Sequence, residues 1–198
     1  MEYPFMGRTG LRVSRLGLGT MSFGGDADAS EAAAIFARCR DAGINLFDCA
    51  DVYNKGEAER ILGSLIQDCR DDVVITTKGY FPTGSGPNDR GTSKYHLVRA
   101  VEASLRRLNT DRIDLYFLHR HDDVTPLEET LSAIDQLVRQ GKVLYIGVSN
   151  FGVHHLEGLK AAGLPPPSCN QIELHVFLQQ PEIVGYCRAA GIAVTAYS

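Results

Sequence analysis

The chain has 198 residues, room for one domain, and folding at that length buries about 70% of the surface that the unfolded chain exposes. Its 44% hydrophobic and 22% charged residues are ordinary for a globular protein and exclude a disordered or low-complexity chain. The net charge of -4 provides no broad basic surface, so nucleic acid and anionic membranes are excluded as main partners and a small molecule is expected.

The opening stretch EYPFMGRTGLRVSRL alternates around Gly7 to Gly10 and reads as a hairpin able to plug a barrel floor. It lacks the basic start and apolar run of a signal peptide, and no apolar stretch approaches the about 20 residues that a membrane span needs, so the cytoplasm is the expected address. Seven short apolar runs follow as strand candidates: RLGLGT, INLFDCA, DVVITTK, IDLYFLH, VLYIGVSN, SCNQIEL and IAVTAYS. Helix-period segments separate them, the pattern of βα units that build a parallel sheet. SKYHLVRAVEASLRRL carries Leu97, Val101, Leu105 and Leu108 on one stripe. In TPLEETLSAIDQLVRQGK, Thr125 is the expected cap, Pro126 the first helical residue, Glu128 the capping-box partner and Gly141 the stop. PEIVGYCRAAG ends in the same way at Gly191. The five cysteines, Cys39, Cys49, Cys69, Cys169 and Cys187, have no CxxC spacing and read as reduced thiols.

Such units close into a (β/α)8 barrel of the TIM type or spread into an open doubly wound sheet. The first strand runs into TMSFGGDADAS with no G-x-G-x-x-G turn, and polar residues recur at the C-terminal ends of the strands, which favours the barrel. A full barrel takes about 250 residues. The expectation is therefore one domain over residues 1–198, an incomplete barrel of seven strands with open sheet edges.

Alternation along the second, third and fourth strands turns Asp48, Lys78 and His119 inward at one level, with Tyr53 in the turn after the second strand. An acid, an ammonium and an imidazole around one phenol suit the reduction of a carbonyl, because hydride arriving at carbon leaves charge on oxygen that must be stabilised and protonated. A free phenol has a pKa of about 10, and each unit of depression takes about 1.4 kcal/mol. Lys78 is expected to supply that by favouring the phenolate, Asp48 to keep Lys78 charged and in place, and His119 to donate to the carbonyl oxygen. None of these groups carries hydride, so a cofactor is implied.

Taken singly, each residue has a plainer reading: Asp48 as a loop cap, Lys78 as a solvated strand end, His154 and His155 as surface residues, Arg106 and Arg107 as a solvated helix face. His119 and His121 form an H-x-H pair that on a strand would share a face and could bind zinc, the basis of a metal-dependent hydrolase as an alternative. His121 and Asp122 are otherwise expected at the pocket rim.

Together, FDCADVYNKGEAERILG, VVITTKG, IDLYFLHR, GKVLYIGVSNF and SCNQIEL resemble the aldo-keto reductase family along essentially the whole chain. The resemblance implies an NADP-dependent oxidoreductase domain with Asp48, Tyr53, Lys78 and His119 as catalytic tetrad and no metal. It further implies NADPH/NADP+ as cofactor, with NADH as the alternative carrier, and a small-molecule aldehyde or ketone as substrate. Ser149, Asn150 and Gln171 would hold the nicotinamide carboxamide and Tyr197 would stack on its ring. Gly19, Thr20 and Met21 would line the cofactor, and Ser198 would begin the loop over its pyrophosphate. Asn54 stands where many members have glycine, and asparagine tolerates unusual backbone angles. The family's later basic segment for the 2'-phosphate has no counterpart before Ser198, which keeps open a third reading, a non-catalytic subunit of the same fold.

Overall fold

The computed structural model describes residues 1–198. Seven strands, β1 (Gly17–Gly19), β2 (Leu46–Asp48), β3 (Val74–Gly79), β4 (Ile113–Leu118), β5 (Val143–Ser149), β6 (Cys169–Glu173) and β7 (Ala193–Tyr197), pair in chain order into one parallel sheet. Each lies on the apolar run expected to form it, with β3 reaching one residue further, to Gly79. Six helices connect them: α1 (Ala29–Asp41), α2 (Glu57–Leu65), α3 (Lys94–Leu108), α4 (Leu127–Arg139), α5 (Val153–Ala161) and α6 (Pro181–Ala190). β1 and β7 end the sheet without pairing to each other, so the structure is a (β/α) barrel short of closure, and Ala196 and Tyr197 on β7 stay exposed.

The period of two along each strand divides the apolar residues between two cores. Phe47, Ile75, Tyr116, Val148 and Ile172 face outward and meet Ile61, Leu62, Leu97, Val101, Leu137, Leu156 and Ile183 from the helices. Leu46, Val74, Leu115, Phe117 and Cys169 face inward and pack on Met6 and Val13 of the N-terminal hairpin. That hairpin, closed by Met6 N–H donating to the Leu11 carbonyl at 2.8 Å, floors the barrel. Gly7 makes the docking close: at φ +58 its Cα position leaves a side chain only 2.3 Å from the Ser168 carbonyl oxygen.

Helix ends follow local chemistry. Ser93 caps α3 by accepting from the His96 N–H at 3.2 Å, and Gly191 ends α6 at φ 71. α4 differs from expectation at its start, where Pro126 is the cap and Thr125 makes no capping bond. The Thr125 hydroxyl instead donates to Asp122 Oδ2 at 2.7 Å, an ionised acceptor that outcompetes a backbone cap. Gly141 does take the left-handed turn beyond the helix, at φ 71.

The packing of α2 on α3 corrects a second expectation. Arg106 is exposed, but Arg107 turns inward and its Nε donates to Glu59 Oε2 at 2.5 Å, with the two side chains 18% and 0% exposed. The helices approach closely enough for this because Gly63 on α2 has no side chain. A Cβ there would stand 2.7 Å from the backbone of Arg107 and Leu108.

Alanine at that position tests the approach. Helix propensity alone favours Gly63→Ala by about 1 kcal/mol. Backbone cannot move aside as a flexible side chain would, so we expect Gly63→Ala to lower stability by about 1–3 kcal/mol in urea unfolding. A stabilised variant would show that the two helices slide apart at little cost.

Candidate active site

Strand register sets the levels of the site. Gly19, Asp48 and Thr76 are paired neighbours across β1, β2 and β3, and Lys78 lies one inward position above Thr76, paired with Phe117 of β4. Tyr53 comes from a tight turn, Tyr53–Gly56, in which Asn54 and Lys55 hold left-handed angles of φ 46 and φ 57. Asparagine suits this conformation, and its side chain also anchors the turn. Asn54 Nδ2 donates to the carbonyls of Met21 at 2.9 Å and Phe23 at 2.8 Å, tying the tyrosine's turn to the loop after β1.

These constraints bring the four residues together. Lys78 is fully buried, and its ammonium donates to Asp48 Oδ2 at 2.5 Å, to the Cys49 carbonyl at 2.8 Å and to the Tyr53 hydroxyl oxygen at 3.4 Å. Asp48 is itself fixed by the Thr76 hydroxyl, which donates to its Oδ1 at 2.5 Å. All three ammonium hydrogens are thereby used, and because the Tyr53 oxygen accepts one, its own O–H is left to donate elsewhere. His119 lies one residue beyond β4, with its ring edge-on to Tyr53 at 6.1 Å and to Phe81 at 4.9 Å.

Burial works against the charge on Lys78, but Asp48, Tyr53 and Cys49 together outweigh it and the ammonium pKa is raised. Burial also lifts the Tyr53 phenol above its ordinary 10.0, with Lys78 pulling it down and Asp48 pushing it up. The expected depression of the phenol therefore does not appear: desolvation outweighs the lysine, and Tyr53 holds its proton at neutral pH. Burial, then Lys78, brings His119 down to about 4, which leaves the imidazole neutral. Its Nδ1 is buried without a hydrogen-bond partner, so the tautomer with the proton on Nε2 is favoured, stranding a lone pair in place of an N–H.

Gly19, Asp48, Thr76, Gln171, Thr195 and Tyr197 line a cavity of about 810 Å³ that runs from the floor to the mouth of the barrel. On its β5–β7 side, Ser149 Oγ donates to the Gln171 carbonyl at 3.1 Å, Asn150 Nδ2 to Ser149 Oγ at 3.2 Å, and the Tyr197 hydroxyl to Asn150 Oδ1 at 2.7 Å. Asn150 is left-handed, φ 59, which turns its amide back across the strand ends. On the other side Gly19 leaves open space. Thr20 is buried and spends its hydroxyl on the Asp48 carbonyl at 3.0 Å, while Met21 and Ser198 are exposed.

The H-x-H pair does not converge. β4 ends at Leu118, so strand alternation no longer governs either histidine, and the two diverge. His119 turns to Tyr53 and Phe81, whereas His121 stacks on His155 and meets Asp123. A zinc hydrolase resting on that pair loses its ligand geometry. Asp122 is a brace of the rim: against the effect of burial, bonds from Thr92, Thr125 and Val124 hold its carboxyl down at about 2.

Residues 15–198 match the sequence profile of the aldo/keto reductase family. A probable voltage-gated potassium channel subunit beta of Oryza sativa subsp. japonica is 38% identical over 209 residues, a match covering 100% of this chain and 63% of the rice protein. A protein of Arabidopsis thaliana with the same description has the same identity and coverage. The uncharacterized oxidoreductase YrpG of Bacillus subtilis strain 168 is 48% identical over 167 residues, covering 79% of this chain and 51% of that protein. The chain thus spans less than two thirds of the length of these curated relatives.

A buried polar layer beneath the site escaped the reading of the sequence. Glu59, paired with Arg107, also accepts from the Thr77 hydroxyl at 2.6 Å, fixing β3 one residue before Lys78. Its signal was present in α2: Glu59 interrupts a stripe on which Ala58, Ile61 and Leu62 are all buried. Asp51 lies 2% exposed with neither carboxylate oxygen hydrogen-bonded, and the Tyr116 hydroxyl is likewise buried and unpartnered. Burial, then the charge of Glu59, lifts the Asp51 carboxyl from an ordinary 3.8 to about 8.

The sign of the resulting pH dependence is fixed. Between the unfolded value of 3.8 and the folded value of about 8 the unfolded chain releases a proton that the folded one keeps, so the contribution of Asp51 to stability falls as pH rises through that window. We therefore expect Asp51→Asn to gain stability relative to wild type in denaturant titrations as pH is raised from 4 to 8. A constant difference across those titrations would mean that the carboxyl ionises normally.

Proposed function

The chain belongs to the aldo/keto reductase family, and from that premise we propose that it is an oxidoreductase that reduces aldehydes or ketones to alcohols, using NADPH, or alternatively NADH, with Tyr53 as the proton donor. The observation that carries this reading is the ammonium of Lys78 held between Asp48 and the Tyr53 hydroxyl, beside a neutral His119.

The nicotinamide, when bound, supplies the hydride. The residues present fit such a group: Ser149, Asn150 and Gln171 offer paired hydroxyl and amide donors and acceptors for a carboxamide, and Tyr197 offers an aromatic face at the cavity edge. The protein's own task is to meet charge that develops on the substrate oxygen. His119 Nε2–H donates to that oxygen and orients it. The Tyr53 O–H donates to it as well, and as negative charge grows there the phenolic proton moves across. The Lys78 ammonium, already bonded to the tyrosine oxygen, stabilises the phenolate left behind. A raised phenol pKa in the resting site suits this order of events, because the proton stays on Tyr53 until the substrate acquires basicity.

A second reading rests on the plant relatives described as probable channel beta subunits, whose match covers this entire chain. On that reading the protein is a non-catalytic accessory subunit of the same fold.

Tyr53→Phe separates these roles. Loss of a general acid lowers turnover by about 10²- to 10⁴-fold, and we expect that loss with 4-nitrobenzaldehyde as substrate while NADPH fluorescence titration gives an unchanged Kd. Wild-type turnover in Tyr53→Phe would remove the tyrosine from its role, and a wild type with neither a saturable NADPH signal nor turnover would favour the accessory subunit. The pH profile gives an independent check. His119, held at about 4, stays neutral as pH rises above that value, so kcat/KM should show no inflection near the ordinary histidine value of 6.5. An inflection there that disappears in His119→Asn would show that the imidazole works as a cation.

A further inference from the structure

Three histidines left unused by this chemistry meet on the rim of the barrel. His121, in the loop after β4, stacks on His155 in the first turn of α5 with ring centroids 4.0 Å apart and planes at 15°. The His154 ring lies 3.8 Å from that of His155, tilted by 47°. Asp123 Oδ1 stands 2.9 Å from His121 Nδ1. One donor atom from each of His121, Asp123 and His155 falls within 4.8 Å of the other two, although the residues come from a loop and a helix start more than thirty positions apart in the chain.

We propose that His121, Asp123 and His155 bind one divalent transition-metal ion, clamping the β4–α4 loop to the start of α5. Two imidazoles and one carboxylate, with water completing the shell, suit Zn²⁺, Cu²⁺ or Ni²⁺, while Ca²⁺ and Mg²⁺ prefer all-oxygen sets. Ligand atoms about 2.0 Å from a tetrahedral ion lie about 3.3 Å apart. The donors, all within 4.8 Å of one another and with His121 Nδ1 and Asp123 Oδ1 already at 2.9 Å, need only a small adjustment to reach that spacing. Side-chain rotation is enough for this, since Asp123 is 89% exposed and His121 30% exposed. The site is distinct from the His119 pair considered for a hydrolase, and it neither requires nor contributes to carbonyl reduction.

One feature of the free site makes the binding mode readable. His155 Nδ1 accepts from the Gly152 N–H at 3.1 Å, which caps α5, so without metal the ring proton resides on Nε2. A metal at Nδ1 displaces the Gly152 donor directly. A metal at Nε2 moves the proton to Nδ1 and sets donor against donor. In both cases ligation releases the Gly152 amide, so the affinity is lower than that of a site with idle ligands and the first turn of α5 responds to the ion.

The test uses the full chain, free of any affinity tag, stripped with chelator and titrated with ZnCl₂ by calorimetry. We expect one equivalent to bind, His121→Ala and His155→Ala each to weaken binding about tenfold or more, and hydrogen exchange of the Gly152 amide to accelerate on zinc addition. Tyr53→Phe should bind zinc as the wild type does, so failure here and failure of the reductase reading remain separate. No binding at millimolar zinc would overturn the proposal. So would equal affinity in the His121→Ala/His155→Ala double variant, which would assign the ion to thiols such as Cys39 and Cys69.

Discussion

A fully buried ammonium governs the architecture of this site. Removing Lys78 from water costs several kcal/mol even after relaxation, and the fold meets that cost with a carboxylate, a backbone carbonyl and a phenolic oxygen that take all three of its hydrogens. Each of these acceptors has to be delivered from β2 or the turn that follows it. Much of the local structure follows from this delivery: Asp48 is pinned by Thr76, the backbone bends so that the Cys49 carbonyl faces inward, and left-handed Asn54 and Lys55 reverse the chain directly after Tyr53.

The charges around the barrel wall are arranged so that no two compete. Lys78 with Asp48 occupies the inner face of the sheet, and Arg107 with Glu59 closes the outer face. Asp51 lies between the pairs and keeps its proton, since a third anion there would be buried beside Glu59 without a partner of its own. The Thr77 hydroxyl links the outer pair to β3, so the strand that presents Lys78 inward is held from outside by Glu59. Gly63 belongs to the same arrangement, since it lets α3 come near enough for Arg107 to reach.

Much of this was legible in the residues. Strand positions followed from short apolar runs, and inward facing followed from a period of two, because both depend on local geometry that a single stretch of chain specifies. The convergence of Asp48, Tyr53, Lys78 and His119 on one spot was legible for the same reason, as neighbouring strands share a level. What the pattern could not express were contacts between separate elements. Arg107 looked solvated because its partner Glu59 is 48 residues away, and Thr125 looked like a cap because the competing acceptor, Asp122, belongs to the preceding loop. The H-x-H pair misled because alternation applies only within a strand, and β4 stops one residue before His119. The direction of the phenol's shift is not legible either, since adjacency of a lysine can be read from spacing, whereas the depth of burial that opposes it cannot.

The proposed reduction gains from a phenol that keeps its proton at rest. Had the lysine prevailed at rest, Tyr53 would share its proton with solvent before any substrate arrived, and a phenolate would sit beside the carboxylate of Asp48. With burial prevailing, the resting site holds one cation, one anion, a neutral phenol and a neutral imidazole, with no net charge. In the proposed reduction an approaching carbonyl is neutral too and would enter without a large desolvation of ions. The balance would change only as its oxygen became anionic, and the group that would then gain most is the ammonium already bonded to the tyrosine oxygen, whose field acts in a poorly screened interior. Stabilisation that strengthens as charge develops lowers the barrier without first tightening the ground state.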